Sequence, residues 1–293
     1  MPAFDIITDS TANLTQKLIK ENSIIEIPFP YFSEGKEPPF CTLEEFDDVK
    51  YYTDIKNGMK ITTSQINPQK YIDFFRPSLE NGRDVLFIGL SSGISGSFTS
   101  ATMAREQLAV EFPDRKIELI DSLSAGLGEG LLVLNAARLR ADGASIESVV
   151  YSILEQRNKI YQVFIADDLI HLKRTGRISN TSAIIGTALG IKPLLKGSEE
   201  GRIVAFGKIR GRARAIEAMA EKYFTLAKNP ELQTVGITYA GCRADAESLA
   251  QKLREKMPPK EFLILKHEPA TGSHIGPGSL ALFFEGDSDV RTK

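Results

Sequence analysis

The sequence predicts an α/β protein: an N-terminal three-layer α/β/α domain with a parallel sheet, then a C-terminal two-layer α/β domain with a mixed sheet. Three observations lead to this prediction. Short β-rich runs alternate with longer helical segments in the first half, which is typical of right-handed βαβ units. Residues 84–90 form a nearly continuous apolar run, as in a parallel strand covered on both faces. After residue 158, strand candidates follow one another without a helix between them.

The N-terminal elements follow from apolar runs and helix-start signals. Pro28 and Pro30 place the second strand candidate at a sheet edge, because proline cannot donate to the ladder. The capping box of Thr42 and Glu45, and the pair Asn67-Pro68, each mark the beginning of a helix. The predicted strands are residues 4–8, 24–32, 84–90 and 116–120. Further helices are predicted at residues 131–140 and 146–157.

The C-terminal elements are predicted from the same signals. Strands are expected at residues 161–166, 203–209, 235–240, 261–266 and 279–284. Helices are expected at residues 181–189, 213–227 and 245–257. We therefore expect a first domain of residues 1–158, a second domain of residues 159–286 and a polar tail of residues 287–293.

Composition excludes several classes of protein. The 36 basic and 38 acidic residues nearly cancel, which argues against a surface devoted to nucleic acid. Only Cys41 and Cys242 are present, so neither a disulfide framework nor a multi-cysteine zinc site can form. No apolar run approaches the roughly 20 residues that span a bilayer, and the first residues do not resemble a secretory signal. We expect a cytoplasmic globular protein without a metal or cofactor.

A serine-rich loop directly follows the apolar strand. Residues 91–101, SSGISGSFTSA, contain five serines and two glycines at the point where a strand leads into a helix. Backbone amides at a helix start, together with hydroxyl groups, can bind an anion. The loop contains no lysine or arginine and lacks the spacing of the known nucleotide loops. It is therefore either an anion site made of neutral donors or an ordinary turn with a helix cap.

Two further segments contain groups that could face the same ligand. Residues 62–65, TTSQ, form a second hydroxyl cluster, which could also be simple capping chemistry. Strand ends in an open α/β sheet converge on one crevice, so the two clusters could meet there. Residues 271–280, TGSHIGPGSL, contain His274 as their ionisable group. His171 and His267 lie in ordinary segments and are expected to be structural.

Positive charge is concentrated in one stretch. Residues 171–214 contain ten basic residues, opposed only by Glu199 and Glu200. Such a stretch is usually a solvated face, but it could also dock an acidic partner or a phosphate. The basic residues are Lys173, Arg174, Arg177, Lys192, Lys196, Arg202, Lys208, Arg210, Arg212 and Arg214.

Six motifs in order resemble those of the DegV family. They are TDSTANL at 8–14, TTSQ at 62–65, SSGISGSFTSA at 91–101, LKRTGRIS at 172–179, GIKPLL at 190–195 and HIGPGSL at 274–280. The resemblance implies a two-domain protein that binds a long-chain fatty acid, such as palmitate or oleate, in a buried tunnel. Some members resemble the lipid-carrier subunit of bacterial fatty acid kinase, which presents the acid to an ATP-dependent kinase partner. The resemblance thus implies a carrier in lipid metabolism, with no catalytic residues of its own.

The resemblance also assigns roles to individual residues. Thr63 and Ser95 match the hydroxyls that hold the carboxylate, with the Gly96 backbone beside them. Ser92 and Ser97 of the same loop are included among the ligand-binding residues. His274 matches the histidine of the polar network around the head group. Arg174 and Arg177 lie in the basic motif near that site and are expected to contact the head-group network or the partner.

Two alternatives from other classes are open at the level of sequence. One is a serine hydrolase with Ser95 as nucleophile and His274 as base, although the G-x-S-x-G spacing is missing. The other is an enzyme acting on a phosphorylated metabolite held by the serine loop and the basic stretch.

Overall fold

The structure is a computed structural model that describes residues 4–179 and 190–293. The predicted helix at residues 181–189 lies outside the described residues. The N-terminal half of the chain forms a parallel four-stranded sheet, in which the strands lie in the order β2-β1-β5-β6. Its strands are β1 (Phe4–Asp9), β2 (Ile24–Ile27), β5 (Asp84–Gly89) and β6 (Ile117–Asp121).

Helices cover both faces of the parallel sheet. One face packs against α3 (Pro68–Glu80) and α4 (Ser97–Glu111), through side chains such as Phe75 and Leu108. The opposite face packs against α5 (Leu127–Ala141) and α6 (Ile146–Arg157), through side chains such as Leu132 and Ile153. The order of layers is the predicted α/β/α arrangement. A short helix α1 (Gln16–Glu21) connects β1 and β2.

A mixed seven-stranded sheet follows, in the order β12-β11-β13-β7-β9-β10-β8. Its strands are β7 (Ile160–Ile165), β8 (Ile178–Ser179), β9 (Ile191–Gly197), β10 (Ile203–Arg210), β11 (Thr234–Tyr239), β12 (Glu261–Lys266) and β13 (Leu280–Glu285). Helices α8 (Arg212–Leu226) and α9 (Arg243–Lys256) cover one face. The other face supplies Phe164, Leu195 and Phe283 to the core that contains α5 and α6. The predicted fold class is confirmed.

The two prolines of residues 24–32 divide that predicted strand into two. β2 ends at Ile27, and β3 (Tyr31–Ser33) pairs instead with β4 (Ile61–Thr63) in a separate antiparallel ribbon. The capping box at Thr42 and Glu45 forms its reciprocal hydrogen bonds, but the helix begins later, as α2 (Asp48–Lys56) capped by Asp47.

Two C-terminal segments contain short helices that the sequence did not predict. The segment around His274 contains the short helix α10 (Pro269–Ile275). The expected polar tail ends in a 3-10 helix, Val290–Thr292, in which Val290 and Arg291 are buried. Within the described residues, no helix combines the length and apolar character needed to cross a bilayer.

Candidate functional site

The serine-rich loop, the β4 end and helix α10 meet at one place. β5 ends at Gly89, and α4 begins at Ser97, so the loop between them lies at the carboxyl edge of the parallel sheet. Gly96 is the N-cap of α4 and makes no side-chain cap, which leaves backbone donors at the helix start for another partner. β4 ends at Thr63, and α10 places His274 opposite that residue.

A cavity of about 180 Å³ lies between these segments. Its wall contains Thr63, Ser95, Gly96, Arg177 and His274, five of the eight site residues predicted from the sequence. The rest of the wall is largely apolar. It includes Phe29, Leu90, Ile94, Ala125, Ile203, Ala270 and Ile275, with Ser64, Gln65 and Thr271 between them. Groups from distant parts of the chain therefore line one space.

Thr63 and His274 are in direct contact. The Thr63 Oγ1 atom lies 2.7 Å from the His274 Nε2 atom. Burial, together with the nearby charge of Arg177, lowers the pKa of His274 to about 4. The ring is therefore neutral at pH 7, and its Nδ1 atom is buried without a hydrogen-bond partner among the described residues. Only one of the two ring nitrogens then has a proton to donate.

Ser95 is connected to the loop beside it. Its hydroxyl donates to Ser97 Oγ at 3.0 Å and accepts from the Ser97 backbone N–H at 3.2 Å. Ser97 Oγ also accepts from the Ile66 N–H at 3.1 Å, which joins the two hydroxyl segments. Ser97 is buried behind Ser95 rather than in the cavity wall, and Ser92 is exposed, with its N–H donating to Asp121. The structure thus brings Ser95 to the cavity, whereas neither Ser92 nor Ser97 is part of the wall.

A larger open cleft of about 1040 Å³ adjoins the cavity. Thr63, Arg177 and His274 line both spaces, so they form the wall between them. Arg174 lines the cleft but not the cavity. Other groups of the cleft wall include Lys56, Lys60, Asp167, Asp168 and His171. A molecule in the cleft could therefore contact the three residues that the two spaces share.

Arg177, which the family resemblance assigns to the head-group network or the partner, lines both the cavity and the cleft. The two hydroxyl segments contain no cation, yet the structure places the Arg177 side chain in the wall of their shared cavity. Its Nη1 atom donates to the Thr175 carbonyl at 2.5 Å. Charge alone does not distinguish Arg177 from its basic neighbours. The family resemblance singled out Arg174 and Arg177, and of these two only Arg177 lines the cavity.

The basic stretch is only partly a free surface. Lys192 and Arg212 both form ion pairs with Asp167, and Arg212 also pairs with Asp245. Lys196 is buried and donates to the Arg291 carbonyl at 2.9 Å. Much of the positive charge therefore stabilises the second sheet and its helices. Among the described residues, no group of His, Cys, Asp and Glu side chains is arranged to hold a metal ion.

Comparisons with known proteins agree on one family. The family model for DegV, a family of uncharacterised proteins, matches residues 3–287. A DegV domain-containing protein of Clostridium perfringens is 36% identical over 288 residues, covering 98% of this chain and 99% of that protein. A solved DegV family protein from Thermus thermophilus, described by its fatty acid binding, is 30% identical with a TM-score of 0.87. That alignment covers 97% of this chain and 100% of the other. DegV from Bacillus subtilis, described as a fatty acid binding protein, is 28% identical with a TM-score of 0.84, covering 98% and 100%.

Proposed function

The chain belongs to the DegV family, and on that basis we propose that it binds one long-chain fatty acid, such as palmitate or oleate. The carboxylate would be held by Thr63, the Gly96 N–H and Ser95, whose hydroxyl would turn its proton from Ser97 Oγ to the ligand. The acyl chain would begin in the apolar part of the cavity and continue into a buried tunnel. The observation that carries this proposal is the cavity itself. Two hydroxyls from separate segments, Thr63 and Ser95, line the same space as seven apolar residues.

Burial of the acyl chain would provide most of the affinity. Each buried methylene contributes about 0.8 kcal/mol, so the roughly 14 methylenes of a C16 acid offer about 11 kcal/mol before the costs of association. The hydrogen bonds to the carboxylate contribute about 1.5–3 kcal/mol each, which largely offsets the desolvation of the charge. The tail would therefore determine affinity, and the hydroxyls would determine orientation.

The neutral state of His274 determines how Thr63 can act. A carboxylate only accepts hydrogen bonds, so Thr63 must direct its own hydroxyl proton toward the ligand. Its oxygen is then free to accept from the Nε2–H of His274 at 2.7 Å. In this state the buried Nδ1 atom of His274 has no proton, which agrees with its lack of a partner among the described residues. His274 would thus orient Thr63 without forming an ion pair with the ligand.

We further propose that the bound acid is presented to an ATP-dependent kinase partner in the cytoplasm, which would make the acyl phosphate. The cleft adjoins the cavity at Thr63, Arg177 and His274, so a partner could approach the carboxylate from that side. Arg174 and Arg177 lie in the cleft wall and would contact the head group or the partner. Neutral hydroxyl donors would leave one carboxylate oxygen able to attack a phosphate.

The serine hydrolase alternative is disfavoured by the hydrogen bonds of its two residues. A nucleophilic serine is activated by a base within hydrogen-bond reach. Ser95 is hydrogen-bonded to Ser97, whereas the imidazole of His274 is hydrogen-bonded to Thr63. A carrier without a catalytic nucleophile fits these contacts better.

The proposal is tested on protein purified from cells and analysed by native mass spectrometry. We expect a co-purified fatty acid, and after delipidation we expect palmitate to bind again. Thr63→Ala and Ser95→Ala should each weaken palmitate binding about tenfold, because each removes a hydrogen bond to a charged group. With ATP and a kinase partner, both variants should slow acyl phosphate formation by a larger factor than they weaken binding.

Ser92→Ala is the matched control, since Ser92 lies in the same loop but is exposed and outside the cavity wall. It should bind palmitate like the unmodified protein. Retention of a phosphorylated metabolite, or labelling of Ser95 by a fluorophosphonate probe, would contradict the carrier and support one of the alternatives. Equal losses in binding and phosphorylation would contradict the role of the neutral donors in transfer.

A further inference from the structure

Helix α7 (Leu169–Arg174) contacts the backbone immediately beside His274. The His171 Nε2 atom lies 2.5 Å from the Ser273 carbonyl oxygen, one residue before His274. α10 contains seven residues and ends at Ile275, so this carbonyl belongs to its last turn. A carbonyl in the last turn of a helix has no partner within the helix and needs an external donor. His171 supplies that donor from a different segment of the chain.

The two contacts of His171 determine its protonation. A carbonyl oxygen can only accept, so the Nε2 atom must carry a proton. On the other side of the ring, an Nη2 N–H of Arg174 lies 3.2 Å from the Nδ1 atom. A guanidinium can only donate, so Nδ1 must be unprotonated and accept. His171 is therefore a neutral imidazole with the proton on Nε2, and Arg174 favours that tautomer.

The His171 ring also packs against the chain that follows His274. Gly276 has a φ of +91° and lies directly on the ring, where an added Cβ atom would be 2.8 Å from the His171 Cδ2 atom. Thr175, the residue directly after α7, has a hydroxyl that lies 3.2 Å from the His274 carbonyl oxygen. The backbone on both sides of His274 is thus in contact with this one segment.

We propose that His171 is a positioning residue: it holds the backbone of α10 so that the His274 ring meets Thr63, and Arg174 keeps it in the required tautomer. The proposal rests on the proposed function insofar as His274 and Thr63 serve the fatty acid carboxylate. From the sequence, His171 is expected to be structural, and the proposal assigns it a specific role, which is to position His274. It also connects Arg174, an exposed residue of the cleft wall, to the backbone of α10 through the His171 side chain.

The first test uses ligand-free protein and the nuclear magnetic resonance signals of the imidazole rings. The chain has three histidines, so the ring signals can be assigned from single variants. His171→Gln keeps an N–H donor near the Nε2 position, whereas His171→Phe keeps a ring against Gly276 but removes both polar atoms. We expect His171→Gln to leave the His274 ring signals unchanged and His171→Phe to shift or broaden them. Unchanged His274 signals in His171→Phe would overturn the proposal, and so would equal changes in both variants.

The second measurement is palmitate binding by the same proteins. His171→Phe should weaken binding about tenfold through the loss of one well-placed hydrogen bond, and His171→Gln should restore most of the affinity. Full affinity in His171→Phe would contradict the positioning role. If the unmodified protein does not bind palmitate although its His274 signals respond to His171→Phe, the proposed function fails and the structural link stands.

Arg174→Ala provides a test that does not disturb the interior. Arg174 is exposed, so the variant should fold like the unmodified protein. We expect the His171 ring signals to change from one tautomer to a mixture, because the Nδ1 atom loses its donor. Lys173→Ala, an exposed neighbour on the same helix, is the control and should change nothing. A single unchanged tautomer in Arg174→Ala would refute the role assigned to Arg174.

Discussion

At the scale of single residues, the most unusual group is a set of buried carboxyls. Thr11 Oγ1 lies 2.5 Å from Asp9 Oδ1 and 3.0 Å from Glu129 Oε2. A hydroxyl has one proton to donate, so one of these carboxyls must itself be protonated for both contacts to be hydrogen bonds. Burial raises the pKa of both, and that of Glu129 is also raised by the charge of Asp9. Burial likewise raises the pKa of Glu268 to about 7.

Glu26 provides a prediction about pH. Burial, then the charges of Asp9 and Glu268, raise its pKa from 4.5 to about 7. A raised carboxyl pKa means that the stability it contributes is present below about pH 4.5 and is lost as the pH rises through about 7. Glu26→Gln should therefore increase the free energy of unfolding at about pH 8 by roughly 1–3 kcal/mol and leave it unchanged at about pH 4.5.

Urea unfolding of both proteins across this pH range measures the difference. Subtracting the free energy of unfolding of the unmodified protein from that of the variant at each pH removes the contribution of His267, which changes with pH in the opposite direction. Burial lowers the pKa of His267 to about 4, so its contribution is lost as the pH falls. Glu106→Gln, at an exposed position, is the control and should show a pH-independent difference. A pH-independent difference for Glu26→Gln as well would contradict the prediction.

At the scale of elements, α10 depends on its neighbours. Isolated helices shorter than about 12 residues are marginal in water, and this helix has seven residues. The Glu268 side chain caps it by accepting from the N–H groups of Ala270 and Thr271, each at 2.6 Å. The Tyr52 hydroxyl donates to the His267 carbonyl at 2.9 Å, which joins α2 to the start of α10. The helix that carries His274 is thus held in place by tertiary contacts.

Tyr52→Phe tests one of these contacts. The hydroxyl is buried and its loss leaves the His267 carbonyl without that donor, so the free energy of unfolding should fall by about 1 kcal/mol. Tyr223→Phe is the matched control, because its buried hydroxyl has no hydrogen-bond partner among the described residues. It should leave stability unchanged or slightly increase it. Urea unfolding measures both, and equal effects of the two substitutions would refute the expectation for Tyr52.

Local sequence signals predicted the type of most elements but not all of their limits. The apolar run at residues 84–90 and the pair Asn67-Pro68 correspond closely to β5 and the start of α3. The capping box at Thr42 forms without starting a helix there, because a cap can also close an isolated turn. α5 begins at Leu127 rather than 131, since its first turn contains glycines and the buried Glu129, which obscure the helical pattern.

At the scale of the whole molecule, the two sheets are joined by contacts far apart in sequence. The Ser91 hydroxyl donates to the Gly201 carbonyl at 2.9 Å, which connects the serine-rich loop to the turn between β9 and β10. The Arg291 guanidinium donates to the carbonyls of Ser198, Arg157 and Leu123. Burial lowers the pKa of Arg291 to about 10. The division into domains at residues 158 and 159 stays a prediction, and so does the assignment of residues 287–293 as a tail.

Arg291→Ala should destabilise the protein substantially. Three partly buried carbonyls would lose a charged donor from a buried side chain, so we expect the free energy of unfolding to fall by about 3 kcal/mol or more. Lys293→Ala, two residues further on, removes only an exposed ion pair with Asp289 and should change stability by less than about 1 kcal/mol. Thermal and urea unfolding measure both variants. Similar small effects would mean that Arg291 does not join the two sheets energetically.

The sequence by itself determined the α/β alternation, the family and the residue types of the candidate head-group site. These properties depend on backbone preferences and on patterns within short segments, which are readable along the chain. Only the tertiary structure decided that Thr63 and His274, 211 residues apart, are in contact, that Arg177 lines the cavity and that Ser92 does not. Strand order and packing bring such groups together, and no local pattern encodes the distance between two loops.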